Sequence, residues 1–134
     1  MFHIQIRCDR MQARPLCAEV SGRLLLDSVI EYQRQHLWWV RVFLLMPDHL
    51  HALMAFPRAA GMSGTIRQWK AFHARWNGIA WQSGYFDHRI RSSKSLSEKA
   101  SYIRQNPVVK GLCATAHDWP WVVDAEGIAA GQVE

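Results

Sequence analysis

An α+β domain built on one antiparallel sheet is what this sequence predicts, on three observations. The first residues alternate in polarity with the period of a strand. Two apolar runs flank a turn signal at Pro47 and Asp48, as in a hairpin. Three further stretches carry apolar residues at helical spacing.

In chain order, Phe2 to Cys8 puts Phe2, Ile4 and Ile6 on one face and His3, Gln5 and Arg7 on the other. Gly22 to His36 reads as a helix, with Leu25, Val29, Tyr32 and His36 near one stripe. Leu37 to Leu45 is a strongly apolar strand, and His49 to Phe56 is its hairpin partner. Pro57 to Gly64 is a loop. From Thr65 to Gly78, Ile66, Trp69, Phe72 and Trp76 recur at helical spacing, so both tryptophans are expected in the core. Tyr85 to Arg91 suits a fourth strand. Ser95 and Glu98 match a capping box, which starts a helix at Leu96 with Leu96, Ala100 and Ile103 inward. Pro107 should stop that helix, because the residue before a proline disfavours helical geometry. Gly111 closes the following turn. Trp119 and Trp121, on either side of Pro120, should staple the chain end, and the stretch from Asp124 to Glu134 should fray.

The resulting order is strand, helix, strand, strand, helix, strand, which matches the ferredoxin-like split βαβ arrangement with one extra C-terminal helix. One domain over residues 1–123, followed by a flexible tail over 124–134, is the expected organisation. That fold hosts many activities and decides none of them.

Composition narrows the class. Apolar residues make up 49% of the 134, with seven Trp, enough for a real core. The net charge of +5 is compatible with a polyanionic partner and does not identify one. The three cysteines, Cys8, Cys17 and Cys113, are odd in number and include no C-x-x-C pair. A disulfide framework and a cysteine zinc site are therefore disfavoured, and a reducing cytosol is the expected compartment. No apolar run approaches the ~20 residues of a membrane span. The N-terminus reads as a strand with no signal-peptide core.

Chemistry enters with MPDHLHALM, Met46 to Met54. On a strand, His49 and His51 point the same way while Leu50 points into the core. Two imidazoles on one face can grip one metal ion, and they can equally be ordinary histidines. On the last helix Tyr102 and Asn106 are four apart and share a face, ~6 Å apart at Cβ, which in isolation suits packing and capping.

Taken together, these segments resemble the single-tyrosine HUH transposases, most closely the REP-associated tyrosine transposase branch. The family pattern runs MP-[ND]-H-V-H-L-L, a basic helix, W-Q-x-x-[FY]-x-D-H-x-[IL]-R, then Y-I-x-x-N-P-V-x-x-G-L. This chain has MPDHLHALM, the helix with Arg67 and Lys70, Trp81 to Arg91 (WQSGYFDHRIR) and Tyr102 to Leu112 (YIRQNPVVKGL). FHIQIR resembles the family's first strand. Each motif alone is weak; four in order, over roughly residues 2 to 121, are specific. Ala52 stands where the pattern has Leu.

The resemblance implies a nuclease that cuts and rejoins single-stranded DNA flanked by hairpins. His49 and His51 would be metal ligands, Asn106 the third protein ligand and Tyr102 the nucleophile. It implies a divalent cation, Mg²⁺ or Mn²⁺, which neutral imidazole and amide ligands leave with its full charge for the phosphate; the imidazoles favour Mn²⁺. A phenol of pKa near 10 is only about 0.1% ionised at pH 7, so the attack needs such help. The general base is open between His88, Glu98 and a metal-bound hydroxide. Asp48 reads best as a turn former.

Arg67, Lys70, Arg89, Arg91 and Lys94 are candidate phosphate contacts or solvated cations. His3, His36, His73 and His117 read as ordinary histidines. The expected partner is single-stranded or hairpin DNA and not a membrane, with a monomer favoured over a homodimer. Two other readings remain: a non-catalytic nucleic-acid binder on the same fold, and a zinc-stabilised structural domain, which two histidines without a thiolate pair would close poorly.

Overall fold

The computed structural model describes residues 1–59 and 61–128. Its strands are β1 (Phe2–Arg7), β2 (Trp39–Leu45), β3 (His49–Ala55), β4 (Phe86–Arg89) and β5 (Val122–Asp124). Its long helices are α1 (Glu19–Arg34), α2 (Met62–Trp76) and α3 (Ser93–Val109). The sheet order is β4-β1-β3-β2-β5 and every pairing is antiparallel. The first four strands have the expected split βαβ order. No helix among the described residues is long and apolar enough to cross a membrane.

The sheet has two unlike faces. On one, Ile4, Ile6, Phe43, Leu45, Leu50, Ala52 and Met54 form a single core with Leu25, Leu26, Val29 and Ile30 of α1 and Ile66 and Trp69 of α2. On the other, Val42, Leu44, Met46 and Leu53 pack against Ala100 and Ile103 of α3. A bulge between Val40 and Val42 shifts the pairing of β2 with β3, so Val40 and Phe43 both serve the first core while Val42 and Leu44 serve the second.

Several expectations are corrected. The α2 stripe is Thr65, Ile66, Trp69 and His73; Phe72 and Trp76 face solvent at 47% and 66% exposure. Reading apolarity alone rotated that face toward two aromatics that the helix leaves outside. The helix also starts earlier, after Gly61, whose φ of 71° lies in the region open to glycine. His36 is not on the α1 stripe; it takes φ 60° just past the helix end.

Helix α3 begins at Ser93 because Ser92, and not Ser95, is the cap: Ser92 Oγ accepts the Ser95 N–H at 3.1 Å. Pro107 does not stop it. A proline loses one ladder hydrogen bond, here to the Ile103 carbonyl, and the helix continues to Val109. It closes with bonds from the Lys110 N–H to the Asn106 carbonyl and from the Gly111 N–H to the Val108 carbonyl.

The expected tail begins too early. Asp124 ends β5, which pairs with β2, and its carboxylate accepts from Arg104 at 3.2 Å. A short helical turn at Ala125–Gly127 follows. Residues 129–134, the rest of that expectation, lie outside the described residues. The stapling by tryptophans holds: Trp119 Nε1–H donates to the Leu45 carbonyl at 3.0 Å, and the Trp121 carbonyl accepts the Leu45 N–H at 2.9 Å.

Candidate active site

The α3 face of the sheet carries the polar residues of three neighbouring strands. Cross-strand pairing sets Arg7 of β1 opposite His49 of β3 and Gln5 opposite His51; on β4, Phe86 lies opposite Gln5 and His88 opposite His3. Helix α3 lies over β2 and the adjoining part of β3. Where it stops, a cavity of about 570 Å³ opens, lined by Gln5, Arg7, Asp48, His49, His51, Tyr102, Asn106 and Lys110 among others. The structure therefore brings His49, His51, Tyr102 and Asn106 to one concave surface.

The two imidazoles face each other. His49 Nε2 and His51 Nε2 are 3.2 Å apart. Two ring nitrogens this close repel unless a proton or a cation lies between them. The separation is one that two ligands of a single ion at ~2.1 Å can span. Asn106 is 7% exposed, lines the cavity, and its side chain has no hydrogen-bond partner among the described residues. No buried side-chain polar atom among the described residues lacks a partner, so the unbonded Asn106 amide opens to the cavity, where solvent or an ion can meet it. These donors fit a divalent cation. Among the described residues no group of three or more His, Cys, Asp or Glu could hold a metal ion, so an ion here depends on the amide, and a closed zinc site of that kind is not assembled.

Each histidine has an outer partner. Asp48 Oδ1 accepts from His49 Nδ1 at 2.7 Å. That bond holds the Asp48 carboxyl below its usual range and commits the Nδ1 side of His49, so that Nε2 is the ring nitrogen turned toward the cavity and His51. Asp48 is thus more than a turn former. His51 Nδ1 lies 3.1 Å from His3 Nε2. Burial pushes His51 down to about 3, helped by the cations Arg7 and Lys99. Burial pushes His3 down to about 4, with Lys99 and His88 contributing. His51 is therefore neutral at physiological pH, as ligation requires, and its partner His3 is neutral as well.

Tyr102 is 58% exposed and meets the His51 ring edge-on at 6.4 Å between centroids. Lys99 Nζ lies 5.1 Å from the centre of the Tyr102 ring. Neither His88 nor Glu98, the two side chains considered as general base, lines the cavity.

The cations expected to meet phosphate are elsewhere. Lys70 is tied down: its ammonium donates to the Gln82 carbonyl at 3.0 Å and the Gly84 carbonyl at 2.7 Å, and burial lowers its pKa. Arg67 shares its helix, on the opposite side of the sheet from the cavity. Arg89 pairs with Phe2 and so turns toward that same side. Arg91 and Lys94 are exposed around the start of α3. The cations at the cavity are Arg7 and Lys110, with Lys99 beside the phenol. Sequence spacing offered a signal for two of them. Lys99 is three residues before Tyr102, and Lys110 is four after Asn106 on a helix that was expected to end at Pro107. Arg7 needed the β1–β3 register, which no local pattern gives.

No protein-family model matches the chain. It is 25% identical, over 135 residues covering 97% of this chain and 78% of the relative, to the REP-associated tyrosine transposase of Escherichia coli strain K12. A solved structure of a REP-associated tyrosine transposase bound to a REP hairpin superposes with a TM-score of 0.77 at 23% identity, covering 97% of this chain and 79% of that one. The fold is shared with that structure, and the resemblance carried by the four motifs extends along nearly the whole chain.

Proposed function

From that similarity and the assembled cavity, we propose that this chain cuts and rejoins single-stranded DNA at hairpin-flanked ends, with Tyr102 as nucleophile. The convergence of His49, His51, Asn106 and Tyr102 on one cavity supports this reading most directly. The Tyr102 oxygen attacks the scissile phosphorus, a 5′-phosphotyrosine forms, and the 3′-oxygen leaves as a hydroxyl after taking up a proton. The new phosphodiester retains the energy of the one broken, so the same residues reverse the step on another 3′-hydroxyl.

His49, His51 and Asn106 would hold a divalent cation, Mg²⁺ or Mn²⁺, which would supply charge neutralisation and polarisation of the phosphate. Arg7 and Lys110 at the cavity wall bind the flanking phosphates, and Lys99 offsets charge beside the phenol. Arg91 and Lys94, exposed around the start of α3, are peripheral phosphate contacts, whereas Arg67 and Arg89 face the other side of the sheet and take no part. Hairpin DNA is the proposed partner because the structurally similar transposase is bound to one. All four central residues come from a single chain, so a monomer suffices. The expected location is the cytoplasm, beside chromosomal DNA.

The test is a labelled single-stranded hairpin, taken from the repeat beside the protein's own gene, incubated with and without Mn²⁺ or Mg²⁺ and run on a denaturing gel. A metal-dependent covalent band that disappears in Tyr102→Phe is the expected result. Binding without any covalent band, across several candidate hairpins, would establish the non-catalytic binder instead.

A further inference from the structure

His3 is the least expected member of the polar array. It lies on β1, is 6% exposed, and does not line the cavity. Its ring lies edge to edge with that of His51, with centroids 5.3 Å apart and planes 15° from parallel. Phe86 meets its edge at 5.9 Å. The contacts fix the ring so that Nε2 addresses His51 Nδ1 at 3.1 Å. The result is a line of side chains, Asp48–His49–His51–His3, with successive separations of 2.7, 3.2 and 3.1 Å.

Hydrogen placement along this line is constrained. The carboxylate of Asp48 only accepts, so His49 directs its Nδ1–H to it, and in the neutral form that ligation requires it has a lone pair on Nε2. Without a cation, the hydrogen facing that lone pair sits on His51 Nε2. His51 Nδ1 is then an acceptor, and His3 donates to it from Nε2. With a cation between the imidazoles, His51 Nε2 must present a lone pair, so its hydrogen moves to Nδ1. His3 Nε2 must then accept, and its own hydrogen moves to Nδ1. No proton is gained or lost by either ring; both exchange one tautomer for the other.

We propose that His3 is a positioning residue for cation binding: a two-way hydrogen-bond partner that lets His51 switch from the Nε2–H to the Nδ1–H tautomer. It does for His51 what Asp48 does for His49. A carboxylate could not do the same, because it cannot donate to His51 when no cation is present. This inference rests on the reading of His49 and His51 as ligands.

Mn²⁺ binding to the whole protein, followed by electron paramagnetic resonance and by titration calorimetry, tests it without DNA or turnover. His3→Leu should weaken Mn²⁺ by ~10-fold or more, in the range of lost outer partners. His3→Gln, whose amide both donates and accepts, should stay within ~3-fold of the parent. Imidazole nitrogen NMR should place the His51 hydrogen on Nε2 in the cation-free protein and on Nδ1 with saturating Mg²⁺. Parent-like affinity in His3→Leu, equal loss in both variants, or a His51 tautomer that does not change would each overturn the inference. If Mn²⁺ binds through His49 and His51 but Tyr102 forms no DNA adduct, the nuclease reading fails while this one stands. If His49→Ala leaves Mn²⁺ affinity unchanged, the ligand assignment fails and this inference with it.

Discussion

Ser28 Oγ lies 2.8 Å from His73 Nε2, joining α1 to α2 within the core opposite the candidate site. The same hydroxyl accepts from Trp69 Nε1–H, and Asn77 meets the other nitrogen of His73. His73 is fully buried, and burial pushes it down to about 4 from 6.5. A depressed folded pKa means that the unfolded chain binds more protons between those values. Stability is therefore fully present above about pH 6.5 and declines as pH falls toward 4, by up to about 3 kcal/mol from this group. His3 and His51 act in the same direction. Urea unfolding of His73→Leu should show a penalty at pH 7.5 that shrinks at pH 5. A penalty independent of pH would refute the buried neutral imidazole.

Asp48 is 77% exposed at its side chain, yet its carboxylate orients a ring that is only 11% exposed. Asp48→Ala should weaken Mn²⁺ binding by about 10-fold while changing thermal stability little. Equal Mn²⁺ affinity in variant and parent would reduce Asp48 to the turn former its sequence context suggests.

Lys70 and Lys110 should separate cleanly. Lys70→Met removes two bonds to the 82–84 loop and should cost about 1–2 kcal/mol in denaturant unfolding, with no change in the salt dependence of DNA binding. Lys110→Gln should leave stability alone and reduce the slope of log affinity against log salt by about 0.7, one phosphate contact on a single strand. Reversal of the two outcomes would return the phosphate role to α2.

Gly22 presents a case in which propensity and packing disagree in sign. Alanine within a helix is worth about 1 kcal/mol over glycine. A Cβ at Gly22, however, would come within 2.5 Å of Trp121 Cζ3 and 3.1 Å of the Leu16 carbonyl. Gly22→Ala should therefore destabilise, by about 1–2 kcal/mol net of propensity, and Trp121→Leu in the same chain should recover part of the loss. A raised melting temperature for Gly22→Ala alone would show that Trp121 yields without cost.

The six framework elements and the shared faces of His49 with His51 and of Tyr102 with Asn106 were legible because they rest on periods of two and 3.6. What failed had a different physical origin. The caps at Ser92 and Ser95 compete within one Ser-rich run, and only the folded chain shows which accepts. Phe72 and His73 are neighbours, and hydrophobicity favoured the wrong one because His73 is buried by its partners Ser28 and Asn77. Pro107 reads as a terminator, yet a proline near a helix end loses only one bond. The outer partners of the candidate ligands were illegible for a further reason. His3 reaches His51, and Arg7 lies opposite His49, across a strand pairing separated by more than 40 residues in sequence.

Strand β3 alternates His49, His51 and Leu53 on one face with Leu50, Ala52 and Met54 on the other. A slip of its pairing by one position would drive both imidazoles into the apolar core and carry Leu50 and Ala52 onto the polar side. Such a mispaired sheet would strand two ring nitrogens away from water and from Asp48 and His3. The motif that supplies the proposed chemistry thus also proofreads the assembly of the central strand: a chain that pairs wrongly loses its fold and its reactive centre together.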